Sequence, residues 1–342
     1  MTRAAARISI AGAGAIGCFI GAHLAAAGHR VTLWGRERVL APIRDRGLTV
    51  SGYDGQRRVL PPTALRLETE AGPALRDADA VLVAVKSAAT AAIAAQIAAH
   101  APPGAVVISL QNGLDNIDTL RAALPGHDTR AGMVGFNVVP AGPAHWHRAV
   151  SGAVAIEAGP GGWARRLAAP GLELQETAAI AALQRGKLIL NLNNALNALS
   201  GLALRDQLLD RGWRRLMADQ MAEALAVLRA ARLPVRATTP LPAAAGPALL
   251  RLPTPLFRRI AARMLVIDPR ARTSMAHDIA AGRPTEIDSL QGWIVDLGAR
   301  CGRPAPIAAH VAQMVRATTA AGVTAPAFTP AELRPDRGAG GG

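Results

Sequence analysis

Lysine is almost absent from this chain, which makes the lysines that it retains candidates for chemistry. Of its 38 basic residues, only Lys86 and Lys187 are lysines. A guanidinium stays protonated at any relevant pH, whereas the pKa of a buried ammonium falls and the group can release a proton. If arginine has replaced lysine wherever a cation only needs to be solvated, the two remaining lysines are candidate proton donors. The alternative is that two lysines survived by chance.

Two asparagines accompany Lys187 at helical spacing. Asn191 and Asn194 follow it at i+4 and i+7, on one face of a single helix predicted over residues 184–199, with leucines on the other side. Amide side chains orient an acid without adding a competing charge. The spacing therefore predicts a polar site on this helix. A polar seam between domains, with its amides satisfied, is the alternative.

A glycine turn near the N-terminus has the spacing of a dinucleotide site. An apolar strand is predicted over residues 8–11, a helix follows the glycines, and a second strand is predicted over residues 30–34. Gly12 permits the tight turn, Gly14 lets the backbone approach a pyrophosphate, and Gly17 allows the helix to pack closely on the strand. A glycine-rich helix start is the alternative. The predicted cofactor contacts in this turn are Gly12, Ala13, Gly14, Ala15, Ile16 and Gly17.

The end of the second predicted strand indicates which nicotinamide cofactor is preferred. An acidic residue there would accept the ribose 2′-hydroxyl of NAD, but this chain has Arg36, 19 residues after Gly17. A guanidinium at that position would pair with a 2′-phosphate, while Glu37 would turn into solvent. The sequence thus favours NADPH over NADH. The alternative is that Arg36 and Arg38 are ordinary surface charges.

Two further strands end in polar residues that we expect at one edge of a parallel sheet. The strand predicted over residues 80–85 ends at Lys86, and that over residues 105–110 ends before Asn112. Ligands bind outside the carboxyl ends of such strands, so both side chains are predicted near the cofactor and substrate, unless they are plain strand and turn ends. Strands over residues 132–139, 147–157 and 172–176 are predicted to extend the same sheet.

The C-terminal half has a different pattern, rich in alanine and leucine at helical spacing. A proline-rich stretch over residues 233–255, with six prolines, is predicted to be a loop. Beyond it, Ser274 begins a helix and Glu286 lies at the start of the next. By themselves Glu286 and Asp288 favour helix capping.

We therefore expect an α/β protein of two domains. A Rossmann-type dinucleotide-binding domain is predicted over residues 1–177 and an all-helical substrate domain over residues 178–330, followed by a disordered tail over residues 331–342.

The composition excludes several other classes. The chain has 342 residues, 50% of them hydrophobic, and a net charge of +14 from arginines that are spread rather than clustered. We expect neither disorder nor nucleic-acid binding from this pattern. No apolar run would cross a bilayer, and Cys18 and Cys301 match no metal-ligand spacing. The expectation is a cytoplasmic protein without metal, nucleic acid or membrane, whose oligomeric state stays open, a homodimer included.

Taken together, the motifs resemble those of the ketopantoate reductases, the 2-dehydropantoate 2-reductases of pantothenate biosynthesis. The resemblance spans nearly the whole chain. It rests on the N-terminal GAGAIG, the AVK that ends at Lys86, the QNG around Asn112, the KLILN from Lys187 to Asn191, and the S-x-x-x-D that starts at Ser274 and is followed by RPTEID.

The resemblance implies an activity and roles for these residues. The activity is the NADPH-dependent reduction of 2-dehydropantoate to (R)-pantoate, with Lys187 as the proton donor and Glu286 beside it. It also implies that four residues lie around substrate and nicotinamide: Asn112, Asn191, Ser274 and Glu286. The resemblance also makes Lys86 and Arg36 cofactor contacts.

One position departs from the family pattern. The family usually has a second asparagine eight residues after the lysine, where this chain has Ala195. Either Asn194 replaces it through a local adjustment of the helix, or a contact to a substrate hydroxyl is lost. A reductase of a different 2-oxo acid therefore stays open as an alternative, as does a dinucleotide-binding protein without catalysis.

Overall fold

The chain folds into two compact units that divide after Ala181. The computed structural model describes residues 5–239, 241–265 and 271–335. Within these ranges the first unit is α/β, and no strand follows residue 177, so the predicted fold class is confirmed. No helix in the described part of the chain is both long and apolar enough to cross a membrane.

The first unit alternates strands with short helices. Its strands are β1 (Arg7–Ala11), β2 (Arg30–Trp34), β3 (Leu48–Gly52), β4 (Arg57–Leu60), β5 (Arg66–Glu68), β6 (Ala80–Val83), β7 (Val106–Ser109), β8 (Thr129–Val134), β9 (Val138–Gly142), β10 (His145–Arg148), β11 (Val154–Glu157) and β12 (Leu174–Thr177). Its helices are α1 (Ala15–Ala26), α2 (Glu37–Arg46), α3 (Ala71–Leu75), α4 (Thr90–His100), α5 (Asn116–Ala123) and α6 (Trp163–Leu167).

An eight-stranded sheet forms the centre of this unit. Its strand order is β12-β11-β8-β7-β6-β1-β2-β5, and the six strands from β8 to β5 run parallel. Every residue of β6 and β7 is buried, as expected for strands covered by helices on both faces. The chain leaves β1 for β2 on one side and later returns to β6 on the other. The carboxyl ends of β1, β2, β6 and β7 therefore meet at one edge, at the switch in strand order.

The expectation that residues 132–139 and 147–157 only extend this sheet is wrong in part. Strands β9 and β10 pair instead with β3 and β4 in a second, four-stranded sheet of order β4-β3-β10-β9. In β10, buried residues alternate with partly buried ones, and β9 is exposed toward its end. Such strands suit a sheet with one covered face, and this sheet packs on α1.

The described residues of the second unit form helices joined by loops, without a strand. Its helices are α7 (Ile180–Asn191), α8 (Asn193–Ser200), α9 (Leu204–Leu209), α10 (Arg211–Ala230), α11 (Gly246–Arg251), α12 (Thr254–Ile260), α13 (Ser274–Ala280), α14 (Trp293–Arg300) and α15 (Pro306–Ala320), with a π-helical turn at Asp288–Gly292 before α14.

The proline-rich stretch is more ordered than its sequence predicts. Helix α11 and the start of α12 lie in its second half. Pro247 and Pro255 are tolerated there because they stand in first turns, where a helix needs no N–H donor. Arg214 is 1% exposed and donates hydrogen bonds to the carbonyls of residues 208, 209, 250 and 252. One buried guanidinium thus ties this stretch to α9 and α10.

The predicted disordered tail begins too early. Leu333 is completely buried, and Arg334 forms an ion pair with Asp219 of α10 at 2.8 Å. Burial of Leu333 and this pair hold residues 331–335 on the helical unit. The rest of the predicted tail, residues 336–342, lies outside the described residues.

Candidate active site

The glycines of the turn differ in the space around them. Gly12 has φ +114°, and a Cβ there would lie 2.8 Å from the backbone after β6. A Cβ at Gly17 would lie 2.1 Å from the carbonyl oxygen of Gly12, so α1 packs directly on the turn. A Cβ at Gly14 would meet nothing within 4 Å. Gly12 and Gly17 are therefore required by packing, while the space beside Gly14 is open.

Not every N–H of this turn is available to a ligand. The N–H groups of Gly12 and Ala13 both donate to the carbonyl of Trp34, at 3.0 and 3.1 Å. The first N–H groups of α1 have no partner within the helix, and no acidic side chain or side-chain cap occupies its first turn. The free donors thus begin at Gly14 and continue through Ala15, Ile16 and Gly17, which narrows the predicted set of phosphate donors.

The end of β2 lies next to the glycine turn. A Cβ at Gly35 would be 2.5 Å from the Cβ of Ala13, and Arg36 follows as an exposed side chain. Glu37 forms an ion pair with Arg44, two turns further along α2, and its two oxygens lie 2.5 and 3.2 Å from the guanidinium nitrogens. The carboxylate that would favour NAD is therefore engaged along α2, and Arg36 is the charged group at the strand end.

A hydrogen-bonded network joins the carboxyl ends of β6 and β7. The carbonyl of Asn112 accepts a hydrogen bond from Ser87 Oγ at 3.2 Å, and Asn116 Nδ2 donates to the same Oγ at 3.0 Å. Thr90 Oγ1 donates to Asn116 Oδ1 at 2.8 Å and accepts from Gln111 Nε2 at 2.7 Å. The network fixes the loop that carries Asn112.

Sequence reasoning missed this network. Polar residues that follow each strand could have indicated it: Ser87 and Thr90 come soon after Lys86, and Asn116 soon after Asn112. Lys86 itself is exposed at the end of β6.

Lys187 lies on α7 in the second unit and has an altered acidity. Burial lowers the pKa of its ammonium to about 8, while the negative charge of Glu286 acts in the opposite direction. The helix is closely covered beside it, because a Cβ at Gly186 would lie 1.9 Å from the carbonyl oxygen of Arg236. An amine with this pKa can donate a proton near neutral pH and accept it again.

The predicted helix over residues 184–199 is two helices, α7 and α8, with the interruption at Leu192. Leu192 keeps helical dihedral angles, φ −57° and ψ −27°, so the hydrogen-bonding pattern is broken while the chain path continues. Buried Gln291, in the π-helical turn, donates to the carbonyl of Leu192 at 2.8 Å. The interruption therefore has a hydrogen-bond partner that lies 99 residues away in sequence.

The asparagines of α7 and α8 fall into two classes. Asn193 and Asn197 are buried, and both amides donate to Gln207 Oε1, at 3.3 and 3.1 Å. Asn191 and Asn194 are only partly buried. The first pair therefore stabilises the fold, and the second pair has amides that a ligand can reach.

The structure brings Ser274 next to Asn194. Thr273 Oγ1 donates to the carbonyl of Asn194 at 3.1 Å, and Thr273 caps the N-terminus of α13, whose first residue is the exposed Ser274. Ala195 is completely buried, so the position at which the family pattern has an asparagine points into the core in this chain.

Glu286 and Asp288 have different surroundings. Asp288 is exposed and pairs with Arg316 of α15 at 2.5 Å. Glu286 is partly buried just before the π-helical turn and interacts electrostatically with Lys187. Of the two acids, only Glu286 therefore belongs to the candidate site.

Two family models cover most of the chain. The model described as ketopantoate reductase PanE/ApbA matches residues 8–161, and its C-terminal counterpart matches residues 179–319. The chain belongs to the ketopantoate reductase family. The resemblance read from the motifs is thus confirmed.

Individual relatives agree with this assignment. The 2-dehydropantoate 2-reductase of Halobacterium salinarum is 28% identical over 319 residues, covering 91% of this chain and 98% of the relative. The crystal structure of a PanE/ApbA family ketopantoate reductase from Ralstonia eutropha JMP134 has a TM-score of 0.79 at 31% identity, covering 92% of this chain and 99% of that one. D-mandelate dehydrogenase, solved with NADH and anilino(oxo)acetate, shares the fold with a TM-score of 0.73 at 21% identity over 92% of this chain and 99% of that one.

Proposed function

We propose that this protein reduces 2-dehydropantoate to (R)-pantoate with NADPH, as a cytoplasmic step of pantothenate synthesis. The observation that carries the proposal is Lys187, a lysine whose pKa lies near 8 with the carboxylate of Glu286 acting on it. A proton donor of this kind is what reduction of a 2-oxo acid needs, because negative charge develops on the carbonyl oxygen. Family membership supports the choice of substrate.

The first unit fits a dinucleotide. The open space at Gly14 and the free N–H groups at the start of α1 suit a pyrophosphate, since a helix N-terminus favours negative charge. Arg36 would bind the 2′-phosphate that distinguishes NADPH from NADH, and Lys86 would add a second cation. When bound, NADPH supplies the hydride that goes to carbon 2 of the substrate.

The residues of the second unit carry out the proton transfer and hold the acid. The ammonium of Lys187 stabilises the developing oxyanion and then gives it a proton, and Glu286 keeps the ammonium oriented. Asn191, Asn194 and Ser274 donate hydrogen bonds to substrate oxygens, with Asn112 as a further contact. Arginine in place of the lysine would supply charge but hardly the proton.

A different 2-oxo acid is the second candidate for the substrate. The observation that favours it is the alanine at position 195, which has no amide where the family pattern has an asparagine and whose side chain is completely buried. Asn194, partly exposed beside Ser274, is the group that would take over the contact to the substrate hydroxyl. The two candidates differ in whether that hydroxyl is recognised.

A pair of substrates separates the two candidates. We would measure NADPH oxidation with 2-dehydropantoate and with 2-oxoisovalerate, which lacks the hydroxymethyl group, within a wider panel of 2-oxo acids. A site that binds the hydroxyl should prefer 2-dehydropantoate by a factor on the order of 10² or more in kcat/KM. Equal values for both, or a higher value for another acid, would exclude 2-dehydropantoate as the specific substrate, and no oxidation with any acid would exclude the reductase.

A further inference from the structure

A second concave site lies in the first unit, between α1 and the four-stranded sheet. This arginine recess has about 300 Å³ of empty space, open solvent included. The groups that matter in it are His23, Gly52, Asp54, Arg57, Arg58 and Arg148. His23 lies nine residues beyond Gly14 on α1, or about 13 Å along the helix axis, so the recess is distinct from the glycine turn.

Arg148 is held rigidly at the back of the recess. It is 8% exposed, and its guanidinium lies 5.3 to 5.8 Å from the ring centres of Phe19, Tyr53 and Phe136. Nη1 donates to the carbonyl of Gly171 and Nη2 to the carboxylate of Asp54, both at 3.1 Å. Its Nε is buried and has no hydrogen-bond partner among the described residues. A buried charged donor without an acceptor is unfavourable, so an acceptor is expected there.

A second guanidinium repeats this feature. The Nε of Arg58, on β4, is also buried without a partner in the described part of the chain, and exposed Arg57 adds a third positive charge at the rim. Asp54 provides the one carboxylate that lines the recess. His23 does not add a charge, because burial, with smaller effects of Arg58 and Arg148, lowers its pKa. The recess therefore has an excess of positive charge.

The carboxylate of Asp54 lies close to the Arg148 donor. A Cβ at Gly52 would lie 2.4 Å from Asp54 Oδ1 and 3.8 Å from Arg148 Nε, so the missing side chain at Gly52 lets this carboxylate approach the guanidinium, where an anion has to compete with it. The space, the charge and the two unpaired N–H groups match a compact anion with several acceptor oxygens.

We propose that the arginine recess binds a phosphate group through the Nε–H groups of Arg58 and Arg148, with Arg57 at its rim. The group comes either as free inorganic phosphate or as the phosphate of a small monoester. The bound phosphate accepts both hydrogen bonds and offsets the charge that Asp54 leaves unbalanced. This site is independent of the reductase activity proposed above.

Calorimetric titration tests the proposal. Inorganic phosphate and glycerol phosphate would each be titrated into the full chain at constant ionic strength, with chloride as the reference anion. We expect saturable binding that is weakened roughly tenfold to hundredfold in Arg58→Gln by the loss of a charge-assisted hydrogen bond. Tighter binding of one of the two compounds identifies the source of the phosphate group.

Two matched variants control for charge and for the dinucleotide site. Arg30→Gln removes an exposed arginine of the same unit outside the recess, and Arg36→Ala removes the proposed 2′-phosphate contact. Both should bind phosphate as the unmodified chain does. No saturable binding, equal weakening in Arg30→Gln, or a loss in Arg36→Ala in place of Arg58→Gln would each overturn the proposal.

A variant with the opposite expected effect guards against misfolding. Asp54→Asn removes the carboxylate that competes with an anion for Arg148, so phosphate should bind severalfold more tightly. Damage to the fold could only weaken binding, so tighter binding cannot arise from misfolding. Weaker or unchanged binding in this variant contradicts the proposal.

Discussion

Proton donation by Lys187 predicts a pH dependence that an ordinary lysine would not have. With a pKa of about 8, the ammonium is about nine-tenths protonated at pH 7 and about one-tenth protonated at pH 9. Reduction needs the protonated form, so kcat/KM should fall about tenfold between these pH values. A lysine with the usual pKa of about 10.4 would remain almost fully protonated over the same range.

The assay is the initial rate of NADPH oxidation from pH 6 to pH 10, with the reverse reaction measured alongside. Oxidation of pantoate needs the neutral amine, so its rate should rise through the range in which reduction falls. Glu286→Gln removes the attraction that raises the pKa, and the inflection should then move to lower pH. A reduction profile that stays flat to pH 9 would refute proton donation by a Lys187 ammonium with a lowered pKa.

The two lysines of the chain provide a matched control. Lys187→Arg keeps the positive charge without a transferable proton and should lose about 10² to 10⁴ in turnover while NADPH still binds. Lys86→Arg also keeps its charge, and the position of the inflection should not change. If the inflection disappears in the Lys86 variant, or persists in the Lys187 variant, the titrating group is not Lys187.

Four further substitutions, one of them a control, test other parts of the structure. Arg36→Ala should weaken NADPH selectively, as measured by kcat/KM with NADPH and with NADH; an unchanged preference would contradict the 2′-phosphate contact. Gly186→Ala places a Cβ 1.9 Å from a backbone carbonyl and should lower the free energy of unfolding by about 1–3 kcal/mol in urea titrations. Gly14→Ala is the control, because its Cβ would meet nothing within 4 Å, and it should change that free energy by under about 0.5 kcal/mol. Arg214→Met leaves four carbonyls without their donor and should lower the free energy of unfolding by about 3–5 kcal/mol in the same assay. A decrease below about 1 kcal/mol would contradict this expectation.

The parts of the fold that sequence predicts well are those specified by local signals. Strands β6 and β7 are continuous apolar runs, and the turn before α1 has glycines where packing leaves no room for a Cβ at Gly12 and Gly17. These features depend on neighbours in the chain. They were predicted from the residues alone for that reason.

The missed features depend on distant partners. Strand β10 pairs in parallel with β3, which joins residues 145–148 to residues 49–52. The alternation of apolar and polar residues in β3 is a signal in the sequence for a strand, but nothing in it indicates which strand is the partner. The interruption at Leu192 likewise depends on Gln291. No local pattern could have predicted either contact.

The candidate site shows the same division. The scarcity of lysine pointed to Lys187, whose lowered pKa arises from burial that only the folded chain provides. The four asparagines of α7 and α8 look alike in sequence. Hydrogen bonds to the buried Gln207 distinguish the structural pair, Asn193 and Asn197, from the accessible one.

The measurement that tests the proposed function most directly is the fate of a labelled hydride. The chain would be incubated with 2-dehydropantoate and NADPH that carries deuterium at the transferable position, and the product analysed by chiral chromatography and mass spectrometry. The proposed hydride transfer should give (R)-pantoate with one deuterium at carbon 2, formed in equal amount to NADP. Consumption of NADPH without labelled pantoate, or formation of the other enantiomer, would contradict it.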